Sequence, residues 1–259
     1  MCVVPKPSRA DYTLAKSFCP ISLLDCFSKL VEKTVACLIC KEIDTNSLVL
    51  STQFGGRRAS STLNAMLTLT HDVKVVHTAG LCTGILLFNI AGFFDNVNRP
   101  CLVQIVNDMG IAPELVNWMC SFLDDHMVRL KFNGALSDPF PSLVGTPQGL
   151  PISPVLLAIY TSLILSLSRT WHHMSLGMYV DDGILFACGK TWDDVTSALS
   201  DAYTSCANWL MRSGLCAEPE KTELLFFRKR KERVEPQHHL HLPLPSHSTY
   251  YQVTTTSHL

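Results

Sequence analysis

The alternation of apolar and polar residues predicts a chain of interleaved helices and strands. The predicted helices are 27–43, 61–77, 100–109, 113–123, 155–168 and 191–212. The last is the best defined, because Thr191 is a suitable N-cap and Gly214 follows the end of the pattern. The longest apolar run, 155–167, contains Tyr, Thr and Ser and is shorter than the ~20 residues of a membrane-spanning helix, so we expect a buried core helix there.

The most distinctive polar residues are Asp181 and Asp182, two adjacent carboxylates between the apolar stretches 176–180 and 184–187. This pattern predicts a β-hairpin with acid at its tip, turning at Asp-Gly because glycine (Gly183) accepts the positive φ of a tight turn. Two carboxylates so close repel each other, and a divalent cation such as Mg²⁺ beside substrate phosphates makes their proximity favourable. The hairpin thus indicates phosphoryl chemistry. Taken alone, however, residues 179–183 are explained equally well by an ordinary surface turn.

The segments before this hairpin give it context. Residues 84–89 are predicted to form a buried strand that ends in a turn. Residues 127–132 and 140–144 are predicted to pair as a second hairpin, and a Gly- and Pro-rich loop at 145–154 then leads into the helix at 155–168. A strand with a turn, a loop that opens a helix and an acidic hairpin form an ordered set that chance rarely supplies.

In order and spacing, these segments resemble the reverse transcriptases of non-LTR (LINE-type) retrotransposons. The further matching segments are Val4-Pro5-Lys6-Pro7, Pro20-Ile21-Ser22-Leu23-Leu24-Asp25, residues 29–33, Gln53-Phe54-Gly55-Gly56-Arg57, Ser60-Ser61-Thr62, and Glu220-Lys221-Thr222 followed by Leu224-Leu225-Phe226-Phe227. The resemblance implies an α+β right-hand polymerase fold, with an antiparallel palm sheet backed by helices. It implies fingers at 1–80, a palm at 81–228, and a polar, poorly ordered tail at 229–259 in place of a thumb.

The resemblance also implies roles for individual residues. Asp181 would ligate the catalytic Mg²⁺ of a two-metal site, with Asp182 as the weaker contributor, and Lys221 would protonate or neutralise the leaving pyrophosphate. The implied nucleotide-binding residues are Ile90, Ala91, Gly92, Phe93, Phe94, Gln148 and Gly149, with Phe94 against the sugar 2′ position. The implied partners are an RNA template, a DNA primer and deoxynucleotides. Without the resemblance, Phe94 reads equally well as a core aromatic and Lys221 as an exposed lysine.

The chain departs from the family at Asn89, where the first palm strand should end in an aspartate that completes the metal site. An amide offers one carbonyl oxygen but no charge, whereas two-metal phosphoryl transfer needs anionic oxygens. We therefore expect metal affinity and rate to fall by orders of magnitude, each factor of ten corresponding to about 1.4 kcal/mol. Asp95, which follows the turn, is not expected to substitute.

Two further departures concern nucleic-acid contacts. Cys19 stands where the family usually has an arginine, and a thiol cannot replace a bidentate fork of donors, unless this residue merely packs. After the basic run 228–233 the chain becomes polar, with histidines at positions 238, 239 and 241, and no primer-grip hairpin or helical thumb is recognisable. We therefore expect a C-terminally truncated, degenerate copy of the element.

The composition of the chain bears on its binding to nucleic acid and on its cellular compartment. The net charge is −1, which argues mildly against tight unaided binding to nucleic acid. Eleven cysteines without a recognisable secretory leader predict reduced thiols and a nuclear or cytoplasmic location. Cys37 and Cys40 have the spacing of a metal or redox pair, but they lie in a helical pattern and are expected to pack. Neither a membrane nor an oligomer is indicated.

Two function classes stay open on this sequence. The first is an RNA-directed DNA polymerase core that depends on Mg²⁺, and the second is a non-catalytic remnant with at most weak nucleic-acid binding. Asn89 and the missing thumb favour the second for this chain, while the motifs favour the first as its origin. A nucleotide cyclase or an RNA polymerase is a weaker alternative, because the finger motifs around Pro20 and Gln53 fit neither.

Overall fold

The computed structural model describes residues 1–124, 126–227, 240–244 and 247–253. The helices are α1 (Cys26–Thr45), α2 (Thr62–Thr78), α3 (Phe93–Asn96), α4 (Arg99–Asp108), α5 (Pro113–Leu123), α6 (Ser153–Leu165) and α7 (Trp192–Arg212), and 3-10 helices lie at Ala15–Ser17, Ser166–Thr170 and Pro219–Lys221. The strands are β1 (Cys2–Pro5), β2 (Phe18–Ile21), β3 (Cys82–Asn89), β4 (Met127–Val128), β5 (Lys131–Phe132), β6 (Ala135–Leu136), β7 (Phe140–Pro141), β8 (Met174–Tyr179), β9 (Asp182–Gly189), β10 (Glu223–Phe227), β11 (Leu240–Leu244) and β12 (His247–Val253).

The chain divides into two compact units. The first unit consists of Met1–Leu48 and Phe94–Tyr160, and the second consists of Val49–Phe93 and Thr161–Leu259. Because each unit is assembled from two separated stretches, the predicted boundary between fingers and palm near residue 80 stays a prediction.

The second unit is built on an antiparallel sheet with the strand order β10-β3-β9-β8. Helix α7 packs against β3 and β9. The helix side chains buried there are Val195, Leu199, Ala202, Tyr203, Cys206 and Leu210. This arrangement confirms the predicted α+β class, with an antiparallel sheet backed by the helix at 191–212. Thr191 caps α7 as predicted, and it forms a reciprocal capping box with Asp194.

The turn of the acidic hairpin differs from the sequence prediction. Tyr179 pairs with Asp182, so the two turn residues are Val180 and Asp181. Val180 has the positive φ, at 60°, whereas Gly183 lies inside β9 opposite Phe88 and Met178. The predicted Asp-Gly turn was therefore wrong by two residues, because packing rather than turn geometry requires this glycine.

The first unit contains a small four-stranded sheet of order β2-β1-β5-β6. Its β5–β6 hairpin turns at Asn133 and Gly134, whose φ angles are 48° and 82°, as in a type I′ turn. The predicted pairing of 127–132 with 140–144 is right only for β4 and β7. The intervening residues form their own hairpin, since Asn-Gly makes a tight turn locally.

The predicted helices agree with α1, α2, α4, α5, α6 and α7 to within a few residues at each end. The predicted helix at 155–168 begins two residues earlier and ends as a 3-10 helix. Within the described residues, Ser153–Thr170 is the one helical stretch long and apolar enough to cross a membrane, and 61% of it is buried inside the protein. That burial agrees with the expected core helix.

The predicted polar tail contains a hairpin that the sequence did not reveal. Strands β11 and β12 pair antiparallel, and Leu240, Leu242 and Val253 are buried. Strand β11 packs against α7, and the poorly ordered tail at 229–259 in place of a thumb stays a prediction. The basic run 228–233 and His238 and His239 lie outside the described residues.

We expect Gly183→Ala to lower the free energy of unfolding by about 1–3 kcal/mol, the usual cost of overpacking. A Cβ at this position would lie 2.2 Å from Cζ of Phe88. The matched control is Gly177→Ala in the neighbouring strand, where the new Cβ would meet Phe54 at an ordinary 3.6 Å. Urea denaturation measures both variants, and equal stabilities would contradict the packing role of Gly183.

Candidate active site at the acidic hairpin

The register of β3 against β9 brings Asn89 to both hairpin carboxylates. Asn89 pairs directly with Asp182, and the backbone N–H of Ile90 donates to the carbonyl of Asp181 at 2.9 Å. The Asn89 side-chain nitrogen then donates to Oδ2 of Asp181 and to Oδ1 of Asp182, each at 3.2 Å. The amide N–H groups of Asn89 therefore bridge the two acids.

Lys221 completes this cluster on the other side of the amide. Its Nζ lies 3.4 Å from Oδ1 of Asn89 and 2.6 Å from Oε2 of Glu218. The 3-10 helix at Pro219–Lys221 and the bond from the Glu218 backbone N–H to the Asn89 carbonyl, at 2.8 Å, hold this segment beside the strand end. The structure thus brings together the predicted residues Asn89, Asp181, Asp182 and Lys221, and it adds Glu218, which carried no motif signal.

The residues that follow Asn89 are fixed through their backbones. Ile90 is buried, and the N–H of Ala91 donates to the carbonyl of Cys216 at 2.8 Å. Phe93 is buried at the start of α3, and Gly92 is exposed with a φ of 52°. Among the predicted nucleotide-binding residues in this unit, Gly92 is therefore the exposed one.

Burial raises the pKa of Asp181, and the neighbouring Asp182 raises it further. Its own backbone amide, the Asn89 amide and the Lys221 ammonium act in the opposite direction. Because Asn89 carries no charge, it offers hydrogen bonds to the carboxylates without neutralising them. The Asn89 amide thus favours the charged form of Asp181.

The donor set does not fit a two-metal centre. The side-chain nitrogen of Asn89 faces both carboxylates while its oxygen faces Lys221, so a cation between the acids would meet N–H groups. Within the described part of the chain, no cluster of three or more His, Cys, Asp or Glu side chains is arranged to hold a metal ion. The predicted metal ligands Asp181 and Asp182 are adjacent, but an anionic third ligand is missing.

The hairpin tip is held in a strained conformation. Val180 is β-branched and has a φ of 60°, a region that costs a non-glycine residue roughly 1–2 kcal/mol. Gly55 lies against it, because a Cβ on Gly55 would approach the Val180 nitrogen to 2.4 Å. The glycine of the Gln53-Phe54-Gly55 segment therefore permits the tight contact with the turn, and the motif itself was the only sequence signal for it.

The remaining predicted nucleotide-binding residues belong to the first unit. The carbonyl of Phe94 accepts a hydrogen bond from the Thr146 N–H at 2.7 Å, which ties Phe94 to the loop carrying Gln148 and Gly149. The Gln148 carbonyl accepts from the Ser22 N–H at 2.8 Å, and Gly149 has a φ of 94°. Phe94, Gln148 and Gly149 are thus parts of one backbone-linked assembly. Cys19, which stands where the family usually has an arginine, lies half-buried in β2.

Arg99 holds the start of this loop in place, and no sequence motif predicted this role. It is only 8% exposed. Its guanidinium donates to the carbonyls of Gly145 at 2.8 Å, Leu123 at 2.7 Å, Ser142 at 2.5 Å and Val144 at 3.3 Å. A buried cation that satisfies several carbonyls in this way holds the loop entry in one geometry.

Comparisons with known proteins agree with this architecture. Residues 4–251 match the family described as reverse transcriptase (RNA-dependent DNA polymerase). The chain is 26% identical to the probable RNA-directed DNA polymerase from transposon BS of Drosophila melanogaster, over 85% of this chain and 24% of that protein. It is 21% identical to the probable RNA-directed DNA polymerase from transposon X-element of the same species, over 94% of this chain and 27% of that protein. It spans about a quarter of the length of these relatives.

Solved structures of similar fold include two telomerases. The apo telomerase from Candida tropicalis truncated from its C-terminal domain superposes with a TM-score of 0.54 at 17% identity, over 78% of this chain and 41% of that chain. Telomerase from Candida albicans in complex with a TWJ fragment of telomeric RNA superposes with a TM-score of 0.57 at 12% identity, over 79% of this chain and 36% of that chain. At these identities the likeness shows the fold alone.

The fold is therefore that of a polymerase palm and fingers, as the α+β prediction stated. The chain belongs to the reverse transcriptase (RNA-dependent DNA polymerase) family. Its assignment to LINE-type reverse transcriptases is confirmed, and it is a reverse transcriptase domain of a retrotransposon.

We expect Asn89→Leu to raise the pKa of Asp181 further, because it removes the N–H that favours the charged carboxylate. Lys221→Met, which removes a weaker contribution, should raise this pKa less. A carboxyl with a raised folded-state pKa makes the unfolding free energy fall as pH rises from the usual carboxyl pKa through the folded value, so this fall should be larger in Asn89→Leu.

Carbon-13 NMR titration of the aspartate carboxyl carbons measures these shifts directly. If Asp181 titrates identically in the parent chain and in Asn89→Leu, the Asn89 amide does not contact it in solution.

Proposed function

We propose that this chain is the fingers-and-palm core of a retrotransposon reverse transcriptase whose nucleotidyl transfer is impaired at one position. The observation that carries the proposal is the orientation of Asn89, whose N–H groups occupy the space between Asp181 and Asp182. The expected substrates are an RNA template, a DNA primer and deoxynucleotides. The proposed boundaries remain fingers at 1–80 and palm at 81–228.

The impairment follows from charge at the hairpin. An active two-metal polymerase needs anionic oxygens from both the strand end and the hairpin. Here the strand end offers an amide, and Lys221 faces its oxygen. Before both carboxylates could bind a cation, the Asn89 side-chain amide would have to rotate. It would then lose its hydrogen bonds to both acids and to Lys221. Mg²⁺ therefore belongs to the ancestral activity, and the residues present do not support a complete site for it.

The second candidate is a non-catalytic remnant that keeps the fold and weak nucleic-acid contact. The closed network of Asn89, Asp181, Asp182 and Lys221 favours it, because these polar groups satisfy each other without substrate. The net charge of −1 also argues against strong unaided binding to a polyanion.

We propose an intracellular location, nuclear or cytoplasmic. The eleven cysteines of the sequence all lie within the described residues, and none is joined in a disulfide there; reduced cysteines are typical of such compartments.

We expect Asn89→Asp to increase the rate of primer extension on an RNA template, with Mg²⁺ and deoxynucleotides present, by at least about a hundredfold. This corresponds to a lowering of the barrier by about 2.7 kcal/mol. Without metal, this variant should be less stable than the parent chain, because three carboxylates then repel one another. Mg²⁺ should raise its melting temperature and leave the parent unchanged.

Asn89→Leu is the matched control, since it removes the same amide without adding charge. If Mg²⁺ stabilises Asn89→Asp no more than Asn89→Leu, the three side chains do not converge as described. If Mg²⁺ stabilises Asn89→Asp but extension stays absent, the remnant interpretation holds.

A further inference from the structure

Glu32 is a buried carboxyl group at a position where the pattern of α1 calls for an apolar side chain. The buried face of α1 consists of Glu32, Val35, Ala36, Ile39 and Ile43, the spacing of a helix that packs one stripe into a core. Glu32 is only 2% exposed, and within the described residues neither of its carboxylate oxygens has a hydrogen-bond partner. Such a group lowers the stability of the fold when it is charged. Its presence in the core therefore indicates a role other than packing.

Although neither carboxylate oxygen makes a hydrogen bond of good geometry, the backbone amide of Ile152 lies near Glu32 and favours the charged carboxylate. Ile152 directly precedes α6 and is fully buried. The first amides of a helix lack intrahelical partners and lie at the positive end of its dipole. Glu32 therefore sits at the point where the loop 145–152 enters α6.

Besides the Arg99 guanidinium at Gly145, neutral groups hold this loop in place. The Ser22 N–H donates to the Gln148 carbonyl at 2.8 Å, and the Ser153 hydroxyl donates to the Pro147 carbonyl at 2.7 Å. A Cβ on Gly149 would come within 2.8 Å of the Ile21 side chain. The loop thus lies closely against the end of β2, and Glu32 is the ionisable group at its far end.

We propose that Glu32 is a positioning residue for the loop that carries Gln148 and Gly149, closing the loop when its carboxyl is neutral and loosening it when ionised. The inference rests on the proposed function for the link to nucleotide binding, but the state of the loop is measurable by itself. A neutral carboxyl stays buried at low cost, whereas an ionised one without a partner requires water to enter between α1 and the loop.

The surroundings of Glu32 indicate that its ionisation, and with it the loosening of the loop, occurs near neutral pH. Burial raises the pKa of Glu32 to about 7, and the Ile152 amide and Lys29 act in the opposite direction. Lys29 lies one turn earlier on α1, while residues 145–159 of the loop and α6 contain no ionisable side chain. Because the folded-state pKa is raised, the closed loop is favoured at low pH and loses stability as pH rises from the ordinary carboxyl value through about 7.

Hydrogen exchange of peptides covering 145–152, corrected for intrinsic rates, tests the proposal. Between about pH 6 and about pH 8, loop opening in the parent chain should increase about tenfold, the linkage expected when the carboxyl has its ordinary pKa in the open state and a pKa of about 7 in the closed state. In Glu32→Gln the opening should be the same at both pH values. Glu42→Gln is the matched control, because Glu42 also lies on α1 and accepts a backbone N–H, that of Ala112 at 2.9 Å. It should retain the pH dependence of the parent.

A parent loop that opens equally at both pH values, or a Glu32→Gln loop with the same pH response as the parent, overturns the proposal. Binding of a fluorescent dATP analogue over the same pH range separates the two levels of the argument. Weaker binding at high pH in the parent but not in Glu32→Gln supports the link to nucleotide binding. A pH-dependent loop in a chain that does not bind the analogue supports the positioning role and counts against the proposed function instead.

Discussion

The pairing of β3 with β9 is the interaction on which the candidate site depends. It runs for the full length of both strands, from Cys82 opposite Gly189 to Asn89 opposite Asp182. Side chains alternate across a sheet, so a slip of one residue would send Asn89 and the acids to opposite faces. Phe88 prevents such a slip, because its ring fills the space above Gly183 and meets Tyr203 of α7 edge to face, with centroids 5.9 Å apart.

Asp181 and Asp182 are consecutive in the chain, and this register places the uncharged Asn89 beside both of them. The side-chain N–H groups of Asn89 donate to both carboxylates, and the oxygen of the same amide faces the Lys221 ammonium. Hydrogen bonds reduce the repulsion, but only a positive charge placed between the acids would remove it. Burial is the main cause of the raised pKa of Asp181, and the neighbouring carboxylate of Asp182 adds to it. Asn89, Asp181, Asp182 and Lys221 therefore form a closed polar network.

In the first unit, two buried ionisable side chains bear on the same loop in different ways. Arg99 distributes its donors over several backbone carbonyls and is well satisfied. Glu32 has no hydrogen-bond partner within the described residues and tolerates burial best when it is neutral. A satisfied charge holds a structure over a wide pH range, whereas an unsatisfied one couples the structure to pH. The entry of the loop is thus rigidly held, and its exit into α6 is the end that pH can move.

The sequence by itself determined the family, the class of fold and the order of the main helices. Local signals sufficed for these, since caps such as Thr191 and turns such as Asn133-Gly134 act within a few residues of the chain. The tertiary structure decided where the acidic hairpin turns, why Gly183 is a glycine, which end of the Asn89 amide faces the acids, and what Glu218, Arg99 and Glu32 contact. Each of these depends on side chains far apart in the chain, and the packing and hydrogen bonds that join them leave no periodic signal in the sequence.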